Sequence, residues 1–245
     1  MKLQKIYDFL DTISPFKLQE AWDNSGLNVG SFGKEIEKIY CCLDVDGDLL
    51  DSLEPGSLII THHPLIFGGI EALDIDRYPA NLIEKMIKKD IAHIAMHTNF
   101  DKTHLNRYVF EQILGFKIDT TFDDGYILQA RVDLSKESLF ALLDDKLHLD
   151  QIKTVNPKEH ISSIAMVTGS GASMMDEITA DCFLTGDLKY HDAMKAMSQN
   201  LMMIDIGHFE SESFFGEILA SELKVLPILA IITHSKNPFV TFGCK

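Results

Sequence analysis

The chain has 245 residues, and its hydrophobic content of 46% is enough for the core of one large or two modest domains. Acidic residues outnumber basic residues by 37 to 22, and the formal net charge of -15 argues against broad electrostatic binding to nucleic acid or an anionic membrane. No apolar run approaches the roughly eighteen residues of a membrane span, and the N-terminus lacks a continuous signal-peptide core. We therefore expect a globular cytoplasmic protein whose four cysteines are reduced.

In the first half of the chain, short apolar runs alternate with helical patterns. The expected elements, in order, are helices over residues 3–10 and 15–20, a loop passing into a strand over 22–30, a strand over 39–44, a helix over 48–53, a strand before His62, a helix over 79–89, a strand ending near His97 and a helix over 106–114. This alternation is typical of βαβ units and predicts an α/β fold.

The pattern resets around Phe122-Asp123-Asp124-Gly125, which is the predicted boundary between two α/β lobes, residues 1–123 and 124–245. In an alternative arrangement, the C-terminal part of the second lobe packs back on the first lobe. The expected elements after the boundary are a strand over 126–132, a helix over 136–143, a polar loop through Asn156-Pro157, a strand over 163–167, a glycine turn entering a helix, a strand over 181–184, a helix over 191–197, a strand before His208, a helix over 214–223 and a strand over 227–233. Mixed or mostly parallel sheets follow from this order.

Three apolar runs end in side chains that bind metals. These side chains are His62 and His63, His97 and Asp101, and His208 and Glu212. Because ligands in α/β sheets bind beyond the carboxyl ends of the strands, side chains from several strands can converge there. Imidazole and carboxylate groups suit zinc, manganese or iron, and two such ions about 3.5–4 Å apart can generate hydroxide near neutral pH. The sequence predicts a dinuclear metal centre.

Each motif also has a purely structural explanation. His62 and His63 could be loop histidines at a surface turn, and Asp101 could cap the helix that follows it. His208 and Glu212, four residues apart, lie on one helical face, as a surface pair would, or Glu212 could answer the positive helix N-terminus. The layout that all three segments share, a strand followed by ligands, favours the metal interpretation.

Other polar groups near strand ends are weaker candidates for a functional role. We expect His93 to be a hydrogen-bonded core residue, and His104, His148, His160 and His234 to lie in loops or at the surface. His191 follows another strand and could be a partner of the ligands, a proton donor or a helix-start residue. The glycine turn of residues 168–171 could cradle an anion with backbone N–H groups, but such turns usually make a tight connection between a strand and a helix.

Several stretches in the expected order resemble the NIF-three-like family of dinuclear metal proteins, often labelled GTP cyclohydrolase 1 type 2. These stretches are Trp22-Asp23-Asn24-Ser25-Gly26-Leu27, Thr61-His62-His63-Pro64-Leu65-Ile66-Phe67, His97-Thr98-Asn99-Phe100-Asp101, Thr168-Gly169-Ser170-Gly171, Thr185-Gly186-Asp187, Gly207-His208 through Glu212, and Asn237-Pro238-Phe239. They span nearly the whole chain, which matches the family's short form without an inserted domain.

The resemblance implies a cytoplasmic protein of two interlinked α/β lobes with a two-metal site between them, assembled as a homohexameric ring. By motif, the ligands of the two divalent ions would be His62, His63, Asp101, His208 and Glu212. Glu212 would bridge the ions, and His97 would sit beside them as a catalytic group. Asp187 departs from the family pattern, which has Glu there, so the role of the loop that ends in His191 stays open.

The activity that the resemblance implies is hydrolytic opening of the guanine imidazole ring of GTP, with release of formate. A positioned His or Glu would move protons, for which His97, Glu212 and His191 are the candidates. The same centre would suit a phosphohydrolase acting on a small phosphoester or nucleotide. A non-catalytic metal-binding regulatory ring is the third alternative.

Overall fold

The computed structural model describes residues 1–121 and 125–241. The strands are β1 (Gly26–Val29), β2 (Lys38–Cys42), β3 (Leu58–Thr61), β4 (Ala92–Ala95), β5 (Leu128–Ser135), β6 (Lys153–Val155), β7 (His160–Met166), β8 (Cys182–Thr185), β9 (Met202–Asp205) and β10 (Leu229–Ile232). The α-helices are α1 (Leu3–Ile13), α2 (Gly47–Ser52), α3 (Ala80–Lys88), α4 (Thr98–Phe100), α5 (Lys136–Leu147), α6 (Tyr190–Gln199), α7 (His208–Glu212) and α8 (Phe215–Leu223). Short 3-10 helices cover Phe16–Leu18 and Ala172–Glu177, and π-helical turns cover Asp101–Leu105 and Tyr108–Ile113.

The strands form two five-stranded sheets with the orders β1-β4-β3-β2-β10 and β5-β7-β8-β9-β6. In the first sheet β10, β2, β3 and β4 are parallel and β1 is antiparallel to β4. In the second sheet β7, β8 and β9 are parallel, and β5 and β6 add antiparallel edges. The predicted α/β class with mostly parallel sheets is confirmed.

The central strands are short apolar runs because both of their faces are covered. Strands β3, β4 and β8 are buried at every position, as expected for parallel strands packed on both sides. Local signals set several helix ends: the Asp46 carboxylate accepts a hydrogen bond from the N–H of Leu49 at the start of α2, and α6 ends at Asn200 in the left-handed conformation.

The chain divides into two compact units that differ from the predicted limits. The first unit contains residues 1–100 and 215–236, and the second contains residues 101–214 together with the described residues from Asn237 onward. The first unit therefore takes α8 and β10 from the end of the chain, and β10 pairs with β2. The predicted boundary around Phe122-Asp123-Asp124-Gly125 falls largely on residues 122–124, which lie outside the described residues.

Two local details went beyond the predictions. Strand β6, which the sequence did not predict, lies just before the loop at Asn156-Pro157 and pairs with the edge of β9. The predicted helix over 106–114 is helical, in the π form over Tyr108–Ile113, which periodicity does not distinguish from an α-helix. Cys41, Cys42 and Cys182 are free and buried, and Cys244 lies outside the described residues. None of the described helices is both long and apolar enough to cross a membrane.

Candidate metal centre

Three histidines of the first unit gather at the carboxyl ends of β3 and β4. The chain leaves β3 at His62, where the N–H groups of His62 and His63 both donate to the carbonyl of Leu43. This turn breaks the strand alternation, so the two imidazole centroids lie only 5.0 Å apart. The centroid of His97, beyond β4, lies 5.1 Å from that of His62 and 5.3 Å from that of His63. One ring nitrogen of each histidine lies within 4.8 Å of the others.

The Nδ1 atom of each of these histidines is held by an oxygen within the first unit. Nδ1 of His62 lies 2.9 Å from the carbonyl oxygen of Met96, and Nδ1 of His63 lies 2.9 Å from Oδ1 of Asp44. Nδ1 of His97 lies 2.9 Å from Oδ1 of Asp23. A carbonyl or carboxylate at Nδ1 favours the tautomer with hydrogen there and leaves Nε2 to act as a metal ligand or base.

The carboxylate of Asp23 is the most constrained of these oxygen groups. Its side chain has no exposed surface, and it accepts hydrogen bonds from Thr98 N–H and Oγ1, Ser25 Oγ and its neighbour Asn24 N–H. Burial by itself would raise the pKa of Asp23, but the hydrogen bonds and charge of His97, together with those from Thr98 and Asn24, hold the pKa well below its usual range. Asp23 is therefore ionised at neutral pH and fixes the His97 ring.

The second unit carries two buried carboxylates and a histidine. Asp101 begins the π-helical turn after residue 100, while His208 and Glu212 are the first and last residues of α7. A carboxylate oxygen of Asp101 lies within 4.8 Å of one of Glu212, and Nε2 of His208 lies 3.1 Å from Oε2 of Glu212. Both carboxylates are almost fully buried. Because buried like charges this close repel each other, the arrangement favours a cation beside Glu212.

His208 has the same arrangement at Nδ1 as the histidines of the first unit. Its Nδ1 lies 2.7 Å from Oδ2 of Asp187, which immediately follows the turn after β8. Burial lowers the pKa of His208, but the hydrogen bonds and charges of Glu212 and Asp187 outweigh it and raise the pKa to about 10.

The glycine turn after β7 lies against this carboxylate pair. Gly169 has a φ of +61°, and a Cβ added there would lie 3.0 Å from Cδ of Glu212 and closer still to Oε1. Ser211 Oγ accepts a hydrogen bond from the Gly169 N–H. The turn thus needs glycine both for its left-handed backbone and for the close approach of Glu212, which agrees with the structural interpretation rather than with an anion cradle.

The residues of each unit fit a divalent metal. The first unit offers imidazole nitrogens whose partner atoms are fixed, and the second offers an imidazole between carboxylates, which are the donors that zinc, manganese and iron accept. The oxygen groups at Nδ1 are the ones that orient metal-binding histidines in proteins.

Most of the remaining histidines follow their expected positions. His104 differs, because it is half-buried in the π-helical turn Asp101–Leu105. His93 is fully buried, with Nε2 2.6 Å from Oγ1 of Thr61, so the prediction of a hydrogen-bonded core residue is confirmed. His148, His160 and His234 are exposed. His191 is also exposed, on α6, with its ring against Tyr190, and its catalytic role stays a prediction.

Sequence reasoning missed two residues that hold the histidines, Asp44 and Asp23. Asp44 follows β2 at the same sheet edge as His63, so its position after an apolar strand was a usable signal. Asp23 is 74 residues from His97 in sequence, and no periodic pattern links the two.

Comparisons with known proteins find relatives over nearly the whole chain. Residues 1–238 match the family described as Duf34/NIF3 (NGG1p interacting factor 3). A Campylobacter jejuni protein named "GTP cyclohydrolase 1 type 2 homolog" is 47% identical over 99% of this chain and 100% of its own length. A Helicobacter pylori protein named "GTP cyclohydrolase 1 type 2" is 40% identical over 96% of this chain and 97% of its own.

Solved structures share the fold. A Staphylococcus aureus hypothetical protein superposes with a TM-score of 0.84 at 26% identity and covers 99% of both chains. Reduced HcgD from Methanocaldococcus jannaschii superposes with a TM-score of 0.81 at 24% identity, over 95% of this chain and 97% of its own.

Proposed function

Because the chain belongs to the DUF34/NIF3 family, we propose that it is a dinuclear metal-dependent hydrolase that opens the guanine ring of GTP and releases formate. The proposed ligands are His62, His63, Asp101, His208 and Glu212, with Glu212 as the bridge. The observation that supports the proposal is the hydrogen bonding of the histidines, since each has Nδ1 held by a carbonyl or carboxylate oxygen, the arrangement that orients metal-binding histidines in proteins. The names of the Campylobacter and Helicobacter relatives support the choice of reaction.

The chemistry divides between the ions and the protein. Bound divalent ions supply Lewis acidity and a water of lowered pKa. His97 moves protons at Nε2, because Asp23 keeps the hydrogen on Nδ1 and stabilises the imidazolium that forms when Nε2 takes a proton. Asp44 and Asp187 are positioning residues, since they act on His63 and His208 through Nδ1.

The first experiment measures metal and formate together. We expect close to two ions per chain, and stoichiometric formate from GTP that is abolished by chelation and by His63→Ala. His160→Ala, which removes an exposed histidine, is the matched control and retains activity. Asp101→Ala and Glu212→Ala should lose metal while keeping the far-ultraviolet circular dichroism of the fold.

The other functional classes have different signatures in the same assay. Release of phosphate without formate would reassign the protein as a phosphohydrolase. A fully metallated protein that leaves every nucleotide intact would be a metal-binding scaffold. Full metal occupancy in both carboxylate variants would refute the ligand set.

We also propose that the protein forms a closed homohexamer in the cytoplasm, on the basis of its family resemblance. Light scattering coupled to size exclusion should give six times the chain mass of 27.6 kDa. A monomer mass at every dilution would reject the ring.

A further inference from the structure

Two exposed aromatic side chains, Trp22 and Phe67, each contact the His97 ring edge-on. The Trp22 ring centroid lies 5.7 Å from that of His97 at an interplanar angle of 74°, and the Phe67 centroid also lies 5.7 Å from it at 87°. Trp22 is 60% exposed and Phe67 is 54% exposed. A ligand bound against these rings would remove their apolar surface from water, which is favourable.

The segments that carry the two rings are fixed to each other by asparagines. Asn24 Nδ2 donates to the carbonyl of Ile66 at 2.7 Å, and the N–H of Ile66 donates to Oδ1 of Asn28 at 3.3 Å. Asn28 Nδ2 in turn donates to the carbonyl of Asn24 at 3.0 Å. The backbones next to Trp22 and Phe67 are therefore held together although their rings are exposed, which lowers the entropy cost of binding a ligand there.

The His97 ring that both side chains contact is held as firmly. Asp23, the neighbour of Trp22, binds Nδ1 of His97, and Ser25 Oγ accepts a hydrogen bond from the His97 N–H at 3.0 Å. A flat ring stacked on Trp22 or Phe67 would thus meet a fixed imidazole whose Nε2 can exchange a hydrogen bond or proton with a ring nitrogen. Aliphatic or phosphate groups would gain no stacking interaction from an aromatic face.

We propose that Trp22 and Phe67 form a stacking site that binds the base of the substrate, a planar nitrogen heterocycle of the purine class, against His97. The identification of the base as guanine rests on the proposed function. The inference assigns recognition of the base to the first unit. Base stacking on aromatic side chains contributes to the free energy of binding. Removal of one ring is therefore expected to weaken binding by roughly ten-fold, within a range of about 5-fold to 150-fold.

Trp22 is the single tryptophan of the chain, so its fluorescence reports on this site alone. The full-length protein as purified is titrated with GMP, and with ribose 5-phosphate as the probe that lacks a base. We expect GMP to quench Trp22 saturably and ribose 5-phosphate to leave it unchanged. Phe67→Ala should weaken GMP binding about ten-fold, whereas Phe67→Tyr, which keeps the ring, should bind nearly as the wild type does.

Tyr190→Ala is the matched control, because it removes an aromatic ring that is 75% exposed in the second unit. It should leave the GMP titration unchanged. Trp22→Phe, followed by calorimetry in place of fluorescence, should retain most of the affinity, and Trp22→Ala should lose it.

The proposal is overturned if GMP does not quench Trp22, if ribose 5-phosphate quenches it equally, or if Phe67→Ala binds GMP as the wild type does. A change of oligomeric mass in Phe67→Ala with unchanged GMP binding would assign the rings to a contact between copies instead. Formate release from GTP without base binding at Trp22 would leave the proposed function intact, whereas GMP binding without any turnover would refute the function and leave the stacking site standing.

Discussion

Substitution of Gly169 by alanine tests whether the glycine turn exists to admit the Glu212 carboxylate. The left-handed backbone at φ +61° costs a residue with a Cβ roughly 1–2 kcal/mol. The new methyl group would lie 3.0 Å from Cδ of Glu212 and 3.4 Å from Nε2 of His208, and overpacking of this kind costs roughly 1–3 kcal/mol. We therefore expect Gly169→Ala to lower the free energy of unfolding by about 2–5 kcal/mol.

The matched control is Gly115→Ala, in the same unit. Gly115 has a φ of +74°, but a Cβ there would meet nothing within 4 Å, so only the backbone cost of roughly 1–2 kcal/mol applies. Denaturant unfolding of both variants in chelator separates the two contributions, since the difference between them is the collision with Glu212. Metal analysis without chelator should show a deficit in Gly169→Ala alone. Equal destabilisation of the two variants, with full metal in both, would refute the reasoning.

Three further changes test other parts of the structure. In Gly186→Ala the new Cβ would lie 2.7–2.9 Å from backbone atoms of residues 169, 207 and 208, which cannot rotate away. Urea unfolding should therefore show a free energy of unfolding lowered by about 3 kcal/mol or more. A decrease below about 1 kcal/mol would contradict the packing. Asp187→Asn should weaken zinc binding about 10-fold to 100-fold by loosening His208, as measured by competition with a chromophoric chelator, and unchanged affinity would remove Asp187 from the site. Burial lowers the pKa of His93 from 6.5 to about 3, so the unfolded state takes up the proton first and wild-type stability should fall as pH drops from 6.5 toward 3. His93→Gln should flatten that slope, and an unchanged slope would place the titration elsewhere.

The sheets were predictable because their strands are continuous apolar runs bounded by turns. Strand β3 is buried at every position and is followed directly by His62 and His63, so both its type and its chemistry could be recognised locally. Strand β6 could not, because its three partly exposed residues exist as a strand only through pairing with β9. The π-helical geometry of the chain after residue 100 is also set by packing rather than by periodicity.

The site residues that directly follow strands were predictable from the sequence. The carboxylate of Asp23 comes from a loop before β1, and its link to His97 depends on how the chain folds rather than on spacing. The glycine turn had the opposite difficulty. Its composition indicated a tight connection, but only the approach of Glu212 to Gly169 shows why a glycine must stand there.

The position of β10 has a consequence for synthesis on the ribosome. Strand β10 covers the side of β2 that would otherwise be an open edge of the first sheet, and in the chain it follows the whole segment of residues 101–214. Until these residues emerge, the nascent chain presents the apolar strand Lys38–Cys42 with unpaired backbone groups, which is a template for wrong pairing. The sheet of the continuous segment of residues 101–214 does not depend on later residues in this way, because all of its strands are synthesised before residue 206. A premature stop after residue 223 should therefore yield aggregates from the first unit rather than a soluble protein lacking only its last strand.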